Sequence, residues 1–157
     1  MGIATTLRDY LEEAGVKYQL VPHDYTSTCK AAADAAHVPP AQVAKPVILE
    51  DHRGYLMAIV PADRRVEVPV VERQTGRRLV LASERELTDV FNDCAKGAVP
   101  PVGQAYGVDV VWDDRLSRCG EVYLEAGDHT DLVRIKSNDF AFLMGRSQHG
   151  TISRPEA

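Results

Sequence analysis

The sequence predicts a single α+β domain built around a mixed β-sheet, and three observations lead to this fold class. The chain has 157 residues, the size of one domain, and 45 % of them are hydrophobic, which is enough for a core. Helix-like segments are mixed with strands that read as hairpins. No internal repeat or low-complexity linker interrupts the chain. We therefore expect one domain over residues 1–145 and a polar tail over residues 146–157 that frays.

In the N-terminal half, apolar spacing and helix-breaking residues predict the elements. The first helix repeats apolar residues at helical spacing and stops at Gly15, and the second is alanine-rich and is closed by Pro39 and Pro40. Two apolar runs flank a turn, which predicts a hairpin of central strands. The expected elements are a helix over 3–14, a strand over 18–21, a helix over 27–37, strands over 46–50 and 55–60, and a helix over 64–75 despite Pro69.

In the C-terminal half, a glycine- and proline-rich segment separates two groups of elements. Ser83 with Glu86 three residues later forms a capping box that opens a helix. Residues 92–107 carry several glycines and prolines, so we expect a rigid, shaped loop that is neither helix nor strand. The expected elements are a strand over 79–81, a helix to residue 91, strands over 108–112, 121–125 and 131–135, and a helix over 138–144.

The charge balance argues against a protein that grips long nucleic acid by bulk charge, and we expect no DNA partner. The net charge is −5, and residues 79–157 carry the whole excess, with 8 basic and 13 acidic side chains. Residues 64–78 have a net charge of +3 and include Arg64 and Arg65. This segment is either a solvated helix face or a docking face for phosphates, in which case these two arginines would contact the phosphates.

Cellular setting is indicated by what the sequence lacks. No run of 18 apolar residues is present, so we expect no membrane partner, and the N-terminus does not resemble a signal peptide. The three cysteines are widely spaced and form no C-x-x-C motif. We therefore expect a cytoplasmic protein with reduced thiols.

Familiar catalytic and cofactor motifs are absent. The chain has no phosphate-binding glycine-rich motif, no H-E-x-x-H and no G-x-S-x-G, and its five histidines lack metal-ligand spacing. We expect no cofactor and no metal site. Cys94 lies at the edge of the glycine- and proline-rich loop, where a passive thiol is favoured over a nucleophile because no companion base is visible.

Three separated segments carry the stronger signal. Lys45 directly precedes the strand from Pro46, where it is either a surface lysine or a point-charge phosphate binder. The loop over 97–103 is stiffened by prolines, and its glycines allow a ligand to approach the backbone. The polar turn over 127–131 is either an ordinary hairpin loop or part of a site.

In this order and spacing, the three segments resemble the YbaK/prolyl-tRNA-synthetase-associated domain family, over about residues 7–143. The lysine and the G-x-x-x-P-x-G loop are the specific parts of the resemblance. The matching stretches are residues 44–49, 61–66, 97–103 and 125–129 leading into 131–135.

The resemblance implies a compact mixed α/β domain whose central, partly closed sheet is flanked by helices. It also implies hydrolysis of the ester of mischarged aminoacyl-tRNA, such as Ala or Cys on proline tRNA, by substrate positioning and without a protein nucleophile. The partners would be the acceptor end of the tRNA and an aminoacyl-tRNA synthetase. Catalytic roles would fall on Lys45, Gly97 and His129, and substrate contacts on Thr28, Pro46, Pro100, Pro101, Gly103 and Gly127.

Two departures from the family pattern leave the substrate open. Many members have a small polar residue where this chain has Pro46, which lacks a backbone donor and a hydroxyl. The turn reads Gly-Asp-His, unlike the basic turn of the cysteine-specific branch. His129 would contact the aminoacyl group or a water, or else be an exposed loop residue. A non-catalytic module that binds aminoacyl-tRNA ends or docks on a synthetase is the alternative function.

Overall fold

The computed structural model describes residues 3–156, and it confirms the α+β class. Residues 1, 2 and 157, which the predicted domain and tail include, lie outside the described residues. Within residues 3–156, three short 3-10 helices cover Pro40–Gln42, Gly103–Tyr106 and Asp114–Ser117. The α-helices are α1 (Thr5–Glu13), α2 (Cys29–Ala35), α3 (Val68–Thr75), α4 (Glu84–Val90) and α5 (Ser137–Met144). The strands are β1 (Gln19–Pro22), β2 (Ala44–Asp51), β3 (Gly54–Pro61), β4 (Arg64–Val66), β5 (Val80–Leu81), β6 (Asp109–Asp113), β7 (Glu121–Glu125), β8 (Asp131–Lys136), β9 (Gln148–Gly150) and β10 (Ser153–Pro155).

The strands form a mixed five-stranded sheet and two smaller antiparallel sheets. The five-stranded sheet has the order β5-β2-β3-β6-β9, in which β2 pairs antiparallel with β3 and β6 runs parallel to β3. The three-stranded sheet has the order β1-β8-β7, and β10 pairs with β4. A parallel bridge between Val43 and Tyr123 joins the start of β2 to β7. The sheets therefore meet beside the N-terminal end of β2.

Alternation along β2 divides the core between the two faces of the large sheet. Ala44 and Ile48 belong to the main cluster, which includes residues of α1 and α5. Leu49 belongs to a second cluster on the other face, where α3 packs. This is the period-two pattern of a strand buried on both faces, as its apolar sequence predicted.

The predicted helix over 64–75 is wrong at its start. Residues 64–66 form β4, which pairs with β10, and α3 begins only at Val68. Pro69 lies in the first turn of α3, where its missing N–H costs no intrahelical hydrogen bond. The proline therefore helps to place the helix start instead of breaking the helix.

The expectation of a frayed tail is also wrong. Strand β9 extends the large sheet beside β6, and β10 pairs with β4. Ile152 between them is fully buried among residues such as Val60 and Val111. Ile152 therefore anchors this polar segment. The local sequence does not predict this, because the surface that buries Ile152 is formed by distant residues.

Strand β2 starts earlier than predicted, and the loop after α4 is less irregular. Lys45 lies inside β2, opposite Val60, and not in front of the strand. The rigid loop over 92–107 ends in the 3-10 helix Gly103–Tyr106. Both differences arise from pairing and packing partners that are remote in sequence.

Candidate active site

A cavity of about 470 Å³ lies between the N-terminal ends of β2 and α2, helix α4 and the loop that follows α4. Four of the predicted site residues line it: Thr28, Lys45, Pro46 and Gly97. Its remaining wall is largely apolar, with side chains that include Ile48, Leu81, Leu87, Phe91 and Val99. A concave, mainly apolar space with a few polar groups is typical of a small-molecule or cofactor-sized site.

Lys45 is held at the rim of this cavity by two contacts. Its ammonium donates a hydrogen bond of 2.6 Å to the carbonyl oxygen of Arg64 and lies 3.3 Å from Oε1 of Glu156. The side chain is 24 % exposed. Lys45 is therefore a half-buried cation whose position is set by the backbone of β4.

The loop from Ala95 to Pro101 is fixed on both sides. The amide of Ala95 donates to the carbonyl oxygen of Gly127 at 2.7 Å, which ties the loop to the β7–β8 turn, and Pro100 and Pro101 are buried. Gly97 has a φ of +81°, a conformation that residues with a Cβ rarely adopt. It is exposed on the cavity side, so a ligand can approach its backbone.

His129 lies behind this loop and not in the cavity lining. It is 4 % exposed, so the alternative of an exposed loop residue is wrong. Its Nε2 lies 2.6 Å from the carbonyl oxygen of Lys96, and because a carbonyl only accepts, Nε2 carries the proton. A Cβ built on Gly97 would lie 3.6 Å from Cε1 of His129. The imidazole therefore supports the backbone on which Gly97 sits.

Gly103 and Gly127 are placed by close packing and are not among the cavity-lining residues. A Cβ on Gly103 would lie 2.9 Å from Cγ2 of Val110, inside the main core. A Cβ on Gly127, whose φ is +111°, would lie 2.9 Å from Cβ of Ala4. Both glycines let neighbouring segments approach each other, which positions the loop and the turn next to the cavity.

Arg64 and Arg65 lie on β4, close to Lys45 in space. The guanidinium of Arg64 donates to Oγ and to the carbonyl oxygen of Ser153, so this side chain holds β10 in place. Arg65 is exposed. Arg77 is one of the basic residues that give residues 64–78 their positive net charge. It is buried in a bidentate ion pair with Asp51 and therefore does not belong to a phosphate-docking face.

The family model of the aminoacyl-tRNA editing domain matches residues 23–143, a span that contains every cavity-lining residue named above. The chain belongs to the aminoacyl-tRNA editing domain family. The search of curated proteins finds no match. The described helices include none that is long and apolar enough to cross a membrane.

Solved structures share the fold of this editing domain over nearly its whole length. The crystal structure of a hypothetical protein is 21 % identical with a TM-score of 0.83, and the match covers 95 % of this chain and 99 % of that one. A candidate trans-editing enzyme for prolyl-tRNA synthetase is 25 % identical with a TM-score of 0.80, over 98 % of this chain and 97 % of that one. A candidate signal transduction protein from Marinobacter aquaeolei VT8 is 18 % identical with a TM-score of 0.74, and the match covers 94 % of this chain but only 30 % of that protein.

Two thiols line the cavity of the editing domain, and neither is activated. Burial raises the pKa of Cys94 to about 12, and burial with the charge of Glu125 raises the pKa of Cys29 to about 12. Both thiols therefore stay protonated at neutral pH, as passive thiols do. The sequence marks Cys94 at the edge of the loop, whereas Cys29 gives no signal because it is the first residue of an ordinary alanine-rich helix.

Sequence reasoning also missed a buried acidic pair next to the β7–β8 turn. Glu125 is 1 % exposed, and burial, followed by the charge of Asp128, raises its pKa to about 7. Oδ1 of Asp128 accepts hydrogen bonds from the amides of Thr130 and Asp131, which shape the turn. The only available signal was a glutamate at the end of an apolar strand. Among residues 3–156, no group of three or more His, Cys, Asp or Glu side chains could hold a metal ion.

Proposed function

We propose that this editing domain hydrolyses the ester of tRNA mischarged with a small amino acid, such as Ala or Cys on proline tRNA. One observation carries the proposal: Lys45 and the backbone of Gly97, which are far apart in sequence, border the same cavity in a chain of the editing family. The cation would bind a phosphate or the ribose of the terminal adenosine, and the loop backbone would orient the scissile ester.

The reaction proposed here is direct attack by water. The water oxygen bonds to the ester carbonyl carbon, the bond from that carbon to the ribose oxygen breaks, and a water proton ends on the ribose oxygen. Both thiols of the cavity wall are poor nucleophiles because they are protonated, and the Thr28 hydroxyl oxygen caps α2 by accepting from the amide of Ala31. Catalysis would then depend on orientation and on charge stabilisation.

His129 would act in this reaction as a positioning residue. Its proton-bearing Nε2 is engaged with the carbonyl of Lys96, one residue before Gly97, and the ring lies behind the loop. Substitution of His129 would therefore alter the position of the ester-binding backbone. The proposed substrate contacts are Thr28, Pro46 and Gly97, which border the cavity, with Pro100 and Pro101 shaping the loop.

The apolar wall supports a small aliphatic or thiol side chain as the edited residue. A hydrophobic pocket separates side chains that differ by one methylene by only about 1–3 kcal/mol, so several small amino acids would be accepted to different degrees. We further propose that the acceptor end of the tRNA is the main partner and that a synthetase supplies additional binding.

The test is deacylation of tRNAs mischarged with Ala, Cys, Ser, Thr or 2-aminobutyrate by the wild type and by Lys45→Ala. The variant should lose about a hundredfold in turnover, the size of effect that removal of one charge-stabilising group produces. Lys136→Ala is the matched control, since Lys136 is an exposed lysine at the end of β8. Urea unfolding of both variants shows whether the fold is intact. Full activity of Lys45→Ala would refute the proposed role of the lysine.

A non-catalytic binding module is the second candidate, and Pro46 is the observation that favours it. Pro46 borders the cavity next to Lys45 and offers neither an N–H nor a hydroxyl to a substrate. Binding of aminoacyl-tRNA analogues without hydrolysis of any mischarged tRNA in the panel would support this function over the enzymatic one.

A further inference from the structure

The carboxylate of Glu156 lies between two lysines at the rim of the cavity. Oε1 is 3.3 Å from the ammonium of Lys45, and Oε2 is 3.9 Å from the ammonium of Lys30. The pKa of Glu156 is lowered by Lys45 and, to a smaller extent, by Lys30 and Arg65. One anionic group thus occupies a position that several cations face.

The fold holds this carboxylate in place. Strand β10 pairs with β4 so that Pro155 lies opposite Arg64, and the amide of Glu156 donates to the carbonyl oxygen of Asp63 at 3.3 Å. Lys30 lies in the first turn of α2, two residues after Thr28, which lines the cavity together with Lys45. The two lysines therefore come from different elements and converge on one point next to the cavity.

A phosphate has the charge and the oxygen acceptors to replace this carboxylate. Ion pairs between solvent-accessible groups contribute little, and Lys30 is 61 % exposed, Glu156 35 % exposed and Lys45 24 % exposed. An incoming phosphodiester carries the same single negative charge as the carboxylate, and it can therefore displace Glu156 at small cost. Such a site suits the single-stranded 3′ end of a tRNA, whose phosphates lie next to the aminoacylated nucleotide.

We propose that Lys30 and Lys45 form a binding site for a phosphate of the tRNA 3′ end, and that Glu156 occupies this site until the tRNA displaces it. The inference rests on the proposed function, because it takes the tRNA end as the ligand of the cavity. It adds Lys30 as a binding residue and makes Glu156 an internal competitor.

The experiment measures binding of an uncharged acceptor-stem minihelix that ends in CCA, over a series of salt concentrations. Glu156→Gln should bind the minihelix about two- to fivefold more tightly, because the partly exposed ion pairs of Glu156 no longer have to be broken. The affinity of this variant should also fall more steeply with salt: the slope of log affinity against log salt concentration should steepen by up to about 0.7. In the wild type the phosphate displaces Glu156, whereas in the variant its binding releases a counterion to the solvent.

Two variants serve as controls. Glu121→Gln removes the same charge from an exposed glutamate that pairs with Arg134 at 3.6 Å, away from the two lysines, and should leave binding unchanged. Lys30→Gln should weaken binding, and in the double variant with Glu156→Gln most of the gain should disappear, as expected for groups that share one site.

Unchanged or weaker binding by Glu156→Gln would overturn the inference, as would an equal gain in Glu121→Gln or a wild type that does not bind the minihelix at low salt. Inorganic phosphate is tested in parallel, and a gain for phosphate alone would overturn the tRNA end as the ligand. Deacylation is scored separately. A gain in minihelix binding without hydrolysis of any mischarged tRNA would refute the proposed enzyme activity and support this site.

Discussion

Replacing Glu125 by Gln should stabilise the protein at neutral and alkaline pH. Glu125 is 1 % exposed, and its Oε2 is buried without a hydrogen-bond partner. Burial and the neighbouring charge of Asp128 raise its pKa from the ordinary value of 4.5 to about 7. Glutamine has the same shape but no charge, so the variant avoids the cost of ionising a group in this position.

The pH dependence follows from the two pKa values. Between pH 4.5 and pH 7 the unfolded chain has lost the proton of Glu125, whereas the folded protein still holds it. The contribution of Glu125 to the free energy of unfolding of the wild type therefore falls as the pH rises through this window and is constant above it. The variant lacks this loss, so its advantage should be about 1 kcal/mol at pH 5, about 2 kcal/mol at pH 6 and about 3 kcal/mol at pH 8.

Urea unfolding of the wild type and Glu125→Gln at these three pH values measures the difference directly. Glu121→Gln is the matched control, because Glu121 lies at the exposed start of the same strand, and it should not reproduce the gain in stability of Glu125→Gln. A difference for Glu125→Gln that stays constant from pH 5 to pH 8, or a variant less stable than the wild type at pH 8, would refute the reasoning.

Two further variants test the packing of the tail and the state of the thiols. Ile152→Ala should lower the free energy of unfolding by about 2–4 kcal/mol, because Ile152 is fully buried. Thr151→Ala, at an exposed position, is the control and should change it little. Equal effects of the two substitutions would mean that the tail contributes nothing to the core. Cys94→Ala should keep its deacylation activity. Cys29 and Cys94 should react with iodoacetamide at pH 8 far more slowly in the folded protein than in urea, because a pKa of about 12 leaves little thiolate. Rapid alkylation of the folded protein would contradict the raised pKa values.

Local patterns predicted most elements and part of the candidate site. Apolar periodicity and helix-ending residues placed α1, α2 and the β2–β3 hairpin to within two residues at each end, since these features depend on near neighbours in the chain. The same patterns failed at β4, where a three-residue strand exists only because β10 pairs with it. Burial and pairing of this kind depend on residues about ninety positions away, which no local pattern records.

The roles of charged residues were the hardest to predict. Arg77 looked like part of a basic face, yet it is buried against Asp51, and the solvated-face and phosphate-face interpretations both fail for it. His129 was considered as an exposed residue, but the turn that carries it is covered by the segment from His23 to Thr26. A charged or polar side chain has the same sequence signature whether it is solvated or paired inside the fold.

The fold class, the family, and the lysine and the glycine- and proline-rich loop that border the cavity were all predictable from the amino-acid sequence. These features depend on composition, periodicity and motif spacing, which are properties of the chain alone. Three placements emerge only in the folded chain: Cys29 lies in the cavity wall, Glu125 is buried beside Asp128, and Glu156 lies between Lys30 and Lys45. The pairing of β4 with β10 brings Glu156 to the lysines, and desolvation and charge pairing exist only once such distant segments meet.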